Sequence, residues 1–308
     1  MQSKKIGIFE YIDPLADRQL EMLPDFLLLT NASHETIILR LLSGHIQVQK
    51  DSKNKYDNRK NYFFLPYDKP PKLTYSSIKE NINNFVNYSE LSFDLEKDKD
   101  YLKKYLNFNR KNTDVYNLVL FELSYFLCSQ EHSPTTAFSH LYRCLEYLSY
   151  SFPLVYASKS KDYKGSFNNL KKFLTGDTSG ELKFFRQFLN TLFSDEESTL
   201  NYTFEIDILI TSSLEALKKD LAQAYSNIQY DFEDSVLKIT FRDILDLFVT
   251  TRNSYFHMLV GQGSKNFSSI DYDIDEYFRC INDSLLNWLS MIIGKVSLFG
   301  FSALLPSL

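Results

Sequence analysis

The stretch from Phe241 to Val260 constrains the fold more than any other. Phe241, Ile244, Leu245, Phe248, Val249, Phe256 and Leu259 recur at spacings close to 3.6 residues, which predicts a helix with one buried face. Gly261 and Gly263 supply its stop. A helix of this kind needs other helices to cover it, and the chain provides them from Thr113 onward. Thr113-Asp114 caps a helix that runs through Leu127, and Ser133-Pro134 opens the next with proline at its first position. That second helix carries the stripe Phe138, Leu141, Leu145, Leu148 and Phe152, a core pattern. After a polar loop over Lys159–Asn168, short helices follow at 170–174 and 180–193. An acidic turn over 194–198, a long helix from Asp207 to Ile228 and a last helix from Ile274 to Phe299 complete the pattern.

Residues 1–108 read differently. Lys5–Ile12 has strand character, 17–29 is ambiguous between helix and buried strand, and Glu35–Gln49 is a β-branched run broken by Gly44. Tyr62-Phe-Phe-Leu-Pro66 and Pro70-Pro71 punctuate the middle, and two short helices are expected over 76–88 and 98–106. The expected fold class is therefore mainly α. A small mixed α/β domain over 1–108, whose role the sequence leaves open, precedes an antiparallel helical bundle over 109–308.

Aromatic residues at 16% and apolar residues at 44% exclude a disordered chain. A net charge of −5 argues against coating nucleic acid nonspecifically, which requires a broad basic surface. Three local basic stretches, Lys50–Lys60, Lys99–Lys111 and Lys159–Lys172, are interleaved with Tyr or Phe. Such a combination can stack bases and hold phosphates, although a solvated face is the plainer reading of each. Cys128, Cys144 and Cys280 are odd in number and sit in apolar patterns, as expected of reduced thiols in a cytoplasmic protein. The opening residues contain no apolar run long enough for a signal peptide.

Residues 285–308 contain a single charge, Lys295, and invite a membrane reading. Ser284, Asn287, Ser290, Gly294 and Ser297 form a small, polar stripe opposite Leu285, Leu289, Ile292, Ile293 and Val296, which favours a core or dimer helix over an anchor. His34, His45, His132, His140 and His257 show no metal-ligand spacing, and there is no phosphate-binding glycine loop or nucleophile elbow. No metal or cofactor is expected.

Arg252, Asn253 and His257 are unusual passengers on the Phe241–Val260 helix. Asn253 and His257, four apart, share a face, whereas Arg252 lies about 140° round a straight helix from the histidine. The guanidinium stem can swing toward the imidazole, or a second copy of the chain can supply the same group. The plain alternative is a satisfied structural pair inside the core.

Arg252-Asn253 followed by His257 on a late helix resembles the ribonuclease motif of the HEPN superfamily, the higher eukaryote and prokaryote nucleotide-binding domain. Phe138-Ser-His-Leu-Tyr-Arg-Cys-Leu-Glu-Tyr-Leu148 is similar to an early HEPN helix whose polar residue, here Glu146, supports the site. The likeness covers roughly residues 110 to 305, more as helical pattern than as identity. It implies a HEPN-like bundle and a metal-independent endoribonuclease with Arg252, Asn253 and His257 as its catalytic set. It further implies RNA as substrate, cleaved by attack of the 2′-hydroxyl, and a site shared by two HEPN domains. A homodimer or a HEPN partner chain would follow, with an antitoxin or sensor protein as a further partner and a role as toxin or antiviral defence effector. The alternative is a HEPN-like module that binds nucleotide or protein without catalysis.

Overall fold

The computed structural model describes residues 2–14, 28–51, 53–56, 60–66, 103–104, 109–159, 162–174, 178–225, 228–233, 235–256, 266–267 and 271–302. Segment 17–29 apart from its last two residues, the helix expected over 76–88, most of that expected over 98–106, and His257 lie outside them. The described strands are β1 (Gln2–Ile6), β2 (Phe9–Asp13), β3 (Gln47–Gln49), β4 (Lys55–Tyr56), β5 (Thr203–Asp207), β6 (Tyr230–Glu233) and β7 (Val236–Thr240). The helices are α1 (His34–Leu42), α2 (Thr113–Ser129), α3 (Pro134–Ser149), α4 (Phe152–Lys159), α5 (Tyr163–Leu174), α6 (Thr178–Leu192), α7 (Glu197–Leu200), α8 (Leu214–Ala224), α9 (Ile244–Phe256) and α10 (Ile274–Ser302). The fold is mainly α with small antiparallel sheets.

Two compact units divide the chain. The first comprises the described residues of Met1–Ser129, Arg143–Leu148 and Leu289–Leu308. Its antiparallel sheet has the order β1-β2-β3-β4. The strand expected over Lys5–Ile12 is instead a hairpin that turns at Gly7-Ile8. Gly7 has φ +58°, and a Cβ there would lie 2.7 Å from the Phe121 ring, so conformation and space both require glycine. The β-branched run Glu35–Gln49 splits into α1 and β3. Ser33 Oγ accepts from Thr36 N (3.2 Å) to start the helix, burial of Ile37, Ile38, Leu41 and Leu42 holds it, and Gly44 at φ +77° ends it.

Phe9, Tyr11 and Asp13 alternate onto the buried face of β2. Phe9 meets Phe121 and Tyr125 of α2 edge-on at 5.9 and 4.8 Å, and Tyr11 Oη shares a 2.8 Å hydrogen bond with Ser124 Oγ. Asp13 accepts from buried Arg40 at 2.5 Å, and Ser297 Oγ donates to Glu35 Oε1 at 3.1 Å. These pairs satisfy charges and carboxylates that would otherwise be expensive to bury.

The second unit comprises the described residues of Gln130–Tyr142 and Ser149–Trp288. It contains a sheet of order β5-β7-β6 in segments for which no strand was expected. Thr203-Phe-Glu-Ile-Asp207 alternates exposed and buried, and Val236-Leu-Lys-Ile-Thr240 alternates half-buried and buried, so the local period there is two. The long helix expected over Asp207–Ile228 shortens to α8, which starts where Ser213 Oγ accepts from Ala216 N at 3.3 Å. The polar loop expected over Lys159–Asn168 is likewise replaced by the end of α4 and the start of α5. Asp162 Oδ1 caps α5 by accepting from Gly165 N at 3.0 Å, and Phe173 stacks on Phe184 at 4.5 Å. Cap and packing outweigh a composition that looks loop-like.

Trp288 Nε1 donates to Phe241 O at 3.0 Å, which pins α10 to the turn that enters α9. Both stripes of α10 are buried from Leu285 to Ile293, including Asn287 and Ser290, as in a core helix. Among the described residues no helix is long and apolar enough to cross a membrane.

His45 gives the first unit a pH dependence. Its Nδ1 lies 2.5 Å from Ser43 Oγ, and burial, reinforced by the Arg40 charge, pushes the imidazole down from 6.5 to about 3. The folded state keeps this ring neutral while the unfolded chain takes up a proton below pH 6.5. Its contribution is therefore full above about pH 6.5 and is lost as the pH falls toward 3. Urea midpoints measured between pH 7 and 4 should fall more steeply for wild type than for His45→Leu, and equal slopes would assign the pH dependence to other groups.

Candidate functional site

The last two turns of α9 leave the core that its first turns help to form. Ile244, Leu245, Leu247, Phe248, Thr251 and Ser254 are buried, whereas Arg252, Asn253 and Tyr255 are half-buried and Phe256 is 41% exposed. Buried contacts anchor this emerging end. Thr251 Oγ1 and Tyr277 Oη lie 2.5 and 2.6 Å from Tyr225 Oη, and burial pushes both phenols well above their ordinary range. The Phe138 ring on α3 contacts Phe248 at 5.2 Å and Phe278 at 4.8 Å, and lies parallel to Phe256 at 6.0 Å and 3°.

On this scaffold Arg252 is held twice. Its Nη1 donates to Asn253 Oδ1 at 3.0 Å, and its guanidinium carbon stands 5.1 Å from the centroid of the Tyr142 ring. Tyr142 in turn meets Phe248 edge-on at 5.5 Å and 86°. The positive charge thus rests on an aromatic base with its planar fork half open to solvent, suited to an anion such as a phosphate. The Asn253 amide turns its oxygen to Arg252, which leaves the Nδ2 donors directed elsewhere.

Arg252 and Asn253 are therefore brought together in the second unit. His257 follows Phe256 in the chain and lies outside the described residues, as does Gly261. Glu146 belongs to the first unit, where it is exposed on α3. The hydrogen bond from Arg143 to Tyr147 (3.3 Å), followed by the charges of Glu122 and Glu146, holds the Arg143 guanidinium above its ordinary range. Arg143 also pairs with Glu122 at 3.2 Å.

The sequence did not single out Tyr142. It sits between the stripe residue Leu141 and the charged Arg143, and nothing in one chain's order says which aromatic ring will lie beneath a guanidinium 110 positions away. Asp246 was also missed. It is buried on α9 and accepts from Arg186 Nε at 2.8 Å and Nη2 at 2.7 Å. Burial raises its carboxyl and Arg186 pulls it back, the balance expected of a structural ion pair.

Among the described residues no group of three or more His, Cys, Asp or Glu is placed to hold a metal ion. Cys128, Cys144 and Cys280 form no disulfide, and burial pushes the Cys128 thiol up to about 11. Comparison with protein-family models, with curated proteins and with solved structures finds no match to this chain.

The Arg252–Tyr142 contact can be measured directly. A double-mutant cycle of Tyr142→Ala and Arg252→Ala should give a coupling of about 0.5–1 kcal/mol in unfolding free energy. Tyr142→Phe should keep most of it, because the ring face and not the hydroxyl carries the interaction. A coupling indistinguishable from zero would mean that the ring does not hold the guanidinium.

Proposed function

We propose that the chain is a metal-independent endoribonuclease of HEPN type. The observation that carries this reading is the Arg252 guanidinium, seated on Tyr142 and tied to Asn253 at the emerging end of α9, five residues before His257 in the sequence. Arginine at such a position meets the non-bridging oxygens of a phosphodiester and stabilises the charge that builds in the transition state. RNA brings its own nucleophile. The 2′-hydroxyl attacks the adjacent phosphorus and loses its proton to a base, and the 5′-oxygen leaves with a proton from an acid. Products are a 2′,3′-cyclic phosphate and a 5′-hydroxyl end. Histidine, with an ordinary pKa of about 6.5, suits either proton transfer near neutral pH.

The reaction needs two proton transfers, and each chain offers one imidazole in this motif. A second copy of the chain, or a HEPN partner chain, supplies the other, so the reading includes a composite site across a two-fold interface. Phe256, exposed one turn beyond Arg252 and backed by the parallel Phe138 ring, would support the base next to the bound phosphate. A defence or toxin role follows from the same likeness.

Purified His257→Ala and Arg252→Ala should each lose about 100-fold or more of the cleavage rate on single-stranded RNA. Their far-UV spectra and melting midpoints should stay within a few degrees of wild type. Chelator should leave the wild-type rate unchanged. A full rate in either variant removes the assignment, and a wild-type protein that retains RNA intact replaces it with a binding module.

A further inference from the structure

Helix α5 carries an aromatic and basic surface that the Arg252 site does not use. Its inner side is docked: Phe173 stacks on Phe184 at 4.5 Å and 28°, Ser166 is buried, and Asn169 Nδ2 donates to Tyr156 Oη at 3.0 Å. Its outer side exposes Tyr163 at 90%, Phe167 at 66% and Leu174 at 74%. At about 100° per residue these three side chains lie within an arc of roughly 40°, one above another along the axis, with Lys171 and Lys164 on the flank roughly 40–60° further round. Lys164, Lys171 and Lys172 are exposed, and α5 contains no acidic residue. Residues 150–174 hold five lysines and one aspartate in a chain whose net charge is −5.

The other basic stretches differ. In Lys50–Lys60 the neighbouring rings face inward: Lys60 stands 5.1 Å from the centroid of buried Tyr62, Tyr62 shares a 3.2 Å hydrogen bond with buried Tyr56, and Lys50 covers Tyr125 at 5.5 Å. Lys99–Lys111 falls largely outside the described residues. Lys159, at the head of the third stretch, points its ammonium at Leu192 O at 3.5 Å, so the outward charges among the described residues of that stretch are those of α5.

We propose that the outer face of α5 binds single-stranded RNA, with unpaired bases stacked on Tyr163 and Phe167 and phosphates along Lys164 and Lys171. The two rings are separated by about 6 Å along the axis, four residues at 1.5 Å each, and the lysines run beside them, as a strand with bases on one side and phosphates on the other requires. A bilayer surface fits less well. An interfacial helix buries a broad apolar face of about 100° or more, whereas this strip is narrow and the neighbouring side of the helix is already packed against protein. The choice of RNA over DNA rests on the ribonuclease reading; the stacking and charge arguments do not.

The test uses the full chain carrying His257→Ala, so that bound RNA survives, with short fluorescein-labelled oligouridine and oligoadenine followed by anisotropy. Tyr163→Ala with Phe167→Ala should weaken binding at least about tenfold without moving the melting midpoint, since both rings are exposed. Replacing Lys164 and Lys171 with Glu should flatten the dependence of log affinity on log salt by about 1.4, near 0.7 per lost phosphate contact. Duplex RNA should compete poorly, because its bases are already stacked. Unchanged affinity in the ring variant overturns the proposal, as does a ring-dependent loss of binding to anionic phosphatidylserine vesicles or of self-association in place of RNA. The two readings separate cleanly. A wild type that cuts RNA while the α5 variants bind and cut as well refutes only the α5 surface, and α5-dependent binding without any cleavage refutes only the nuclease.

Discussion

Phe138 is the ring on which the second unit turns. Fully buried on α3, it touches Phe248 and Phe256 on α9 and Phe278 on α10. Three helices meet through one side chain, and aromatic pairs at such separations add directional preference to the burial of large apolar surfaces. The consequence for the candidate site is positional. Phe248 lies under Tyr142, Tyr142 lies under Arg252, and Phe256 closes the other end of the same cluster. A guanidinium on a free helix end would sample many rotamers, whereas this one has an aromatic seat and an amide neighbour.

Several of the buried charges and hydroxyls inside each unit are met by a partner. Asp13 meets Arg40 and Glu35 meets Ser297 in the first unit. In the second, Asp246 meets Arg186, and the hydroxyls of Tyr225, Thr251 and Tyr277 form a closed group. Removing one partner of such a pair would leave the other buried without compensation. Polar and aromatic groups that stay at the surface stand apart from that economy. Arg252 with Asn253 and the outer face of α5 are both of this kind, and both combine positive charge with rings.

The long helices were legible because their apolar positions recur at a helical period over three turns or more. α2, α9 and α10 fall where the spacing of Phe, Leu and Ile places them, and α3 does so from the proline at its first helical position to Ser149, while Phe152 of the expected stripe opens α4 instead. The segments that changed are those where local signals were weak or in conflict. Thr203–Asp207 and Tyr230–Thr240 are short, and a five-residue strand carries too few alternations to stand out from a helix beginning nearby. α5 contains glycine, serine and two asparagines, so its propensity is low, and it forms because Asp162 caps it and Phe184 receives Phe173.

The order of residues by itself determined that the chain is mainly helical, that a buried-face helix carries Arg252 and Asn253 at adjacent positions, and that lysines and rings alternate over Lys159–Lys172. Periodicity and composition are properties of neighbours along the chain, so they can be read without coordinates. Tertiary structure decided which ring lies beneath Arg252, that Asp246 is neutralised by Arg186, and that the rings of α5 face outward while Tyr56 and Tyr62 face inward. Those outcomes depend on which surfaces meet when distant segments pack, and burial is settled by that meeting and not by the local sequence.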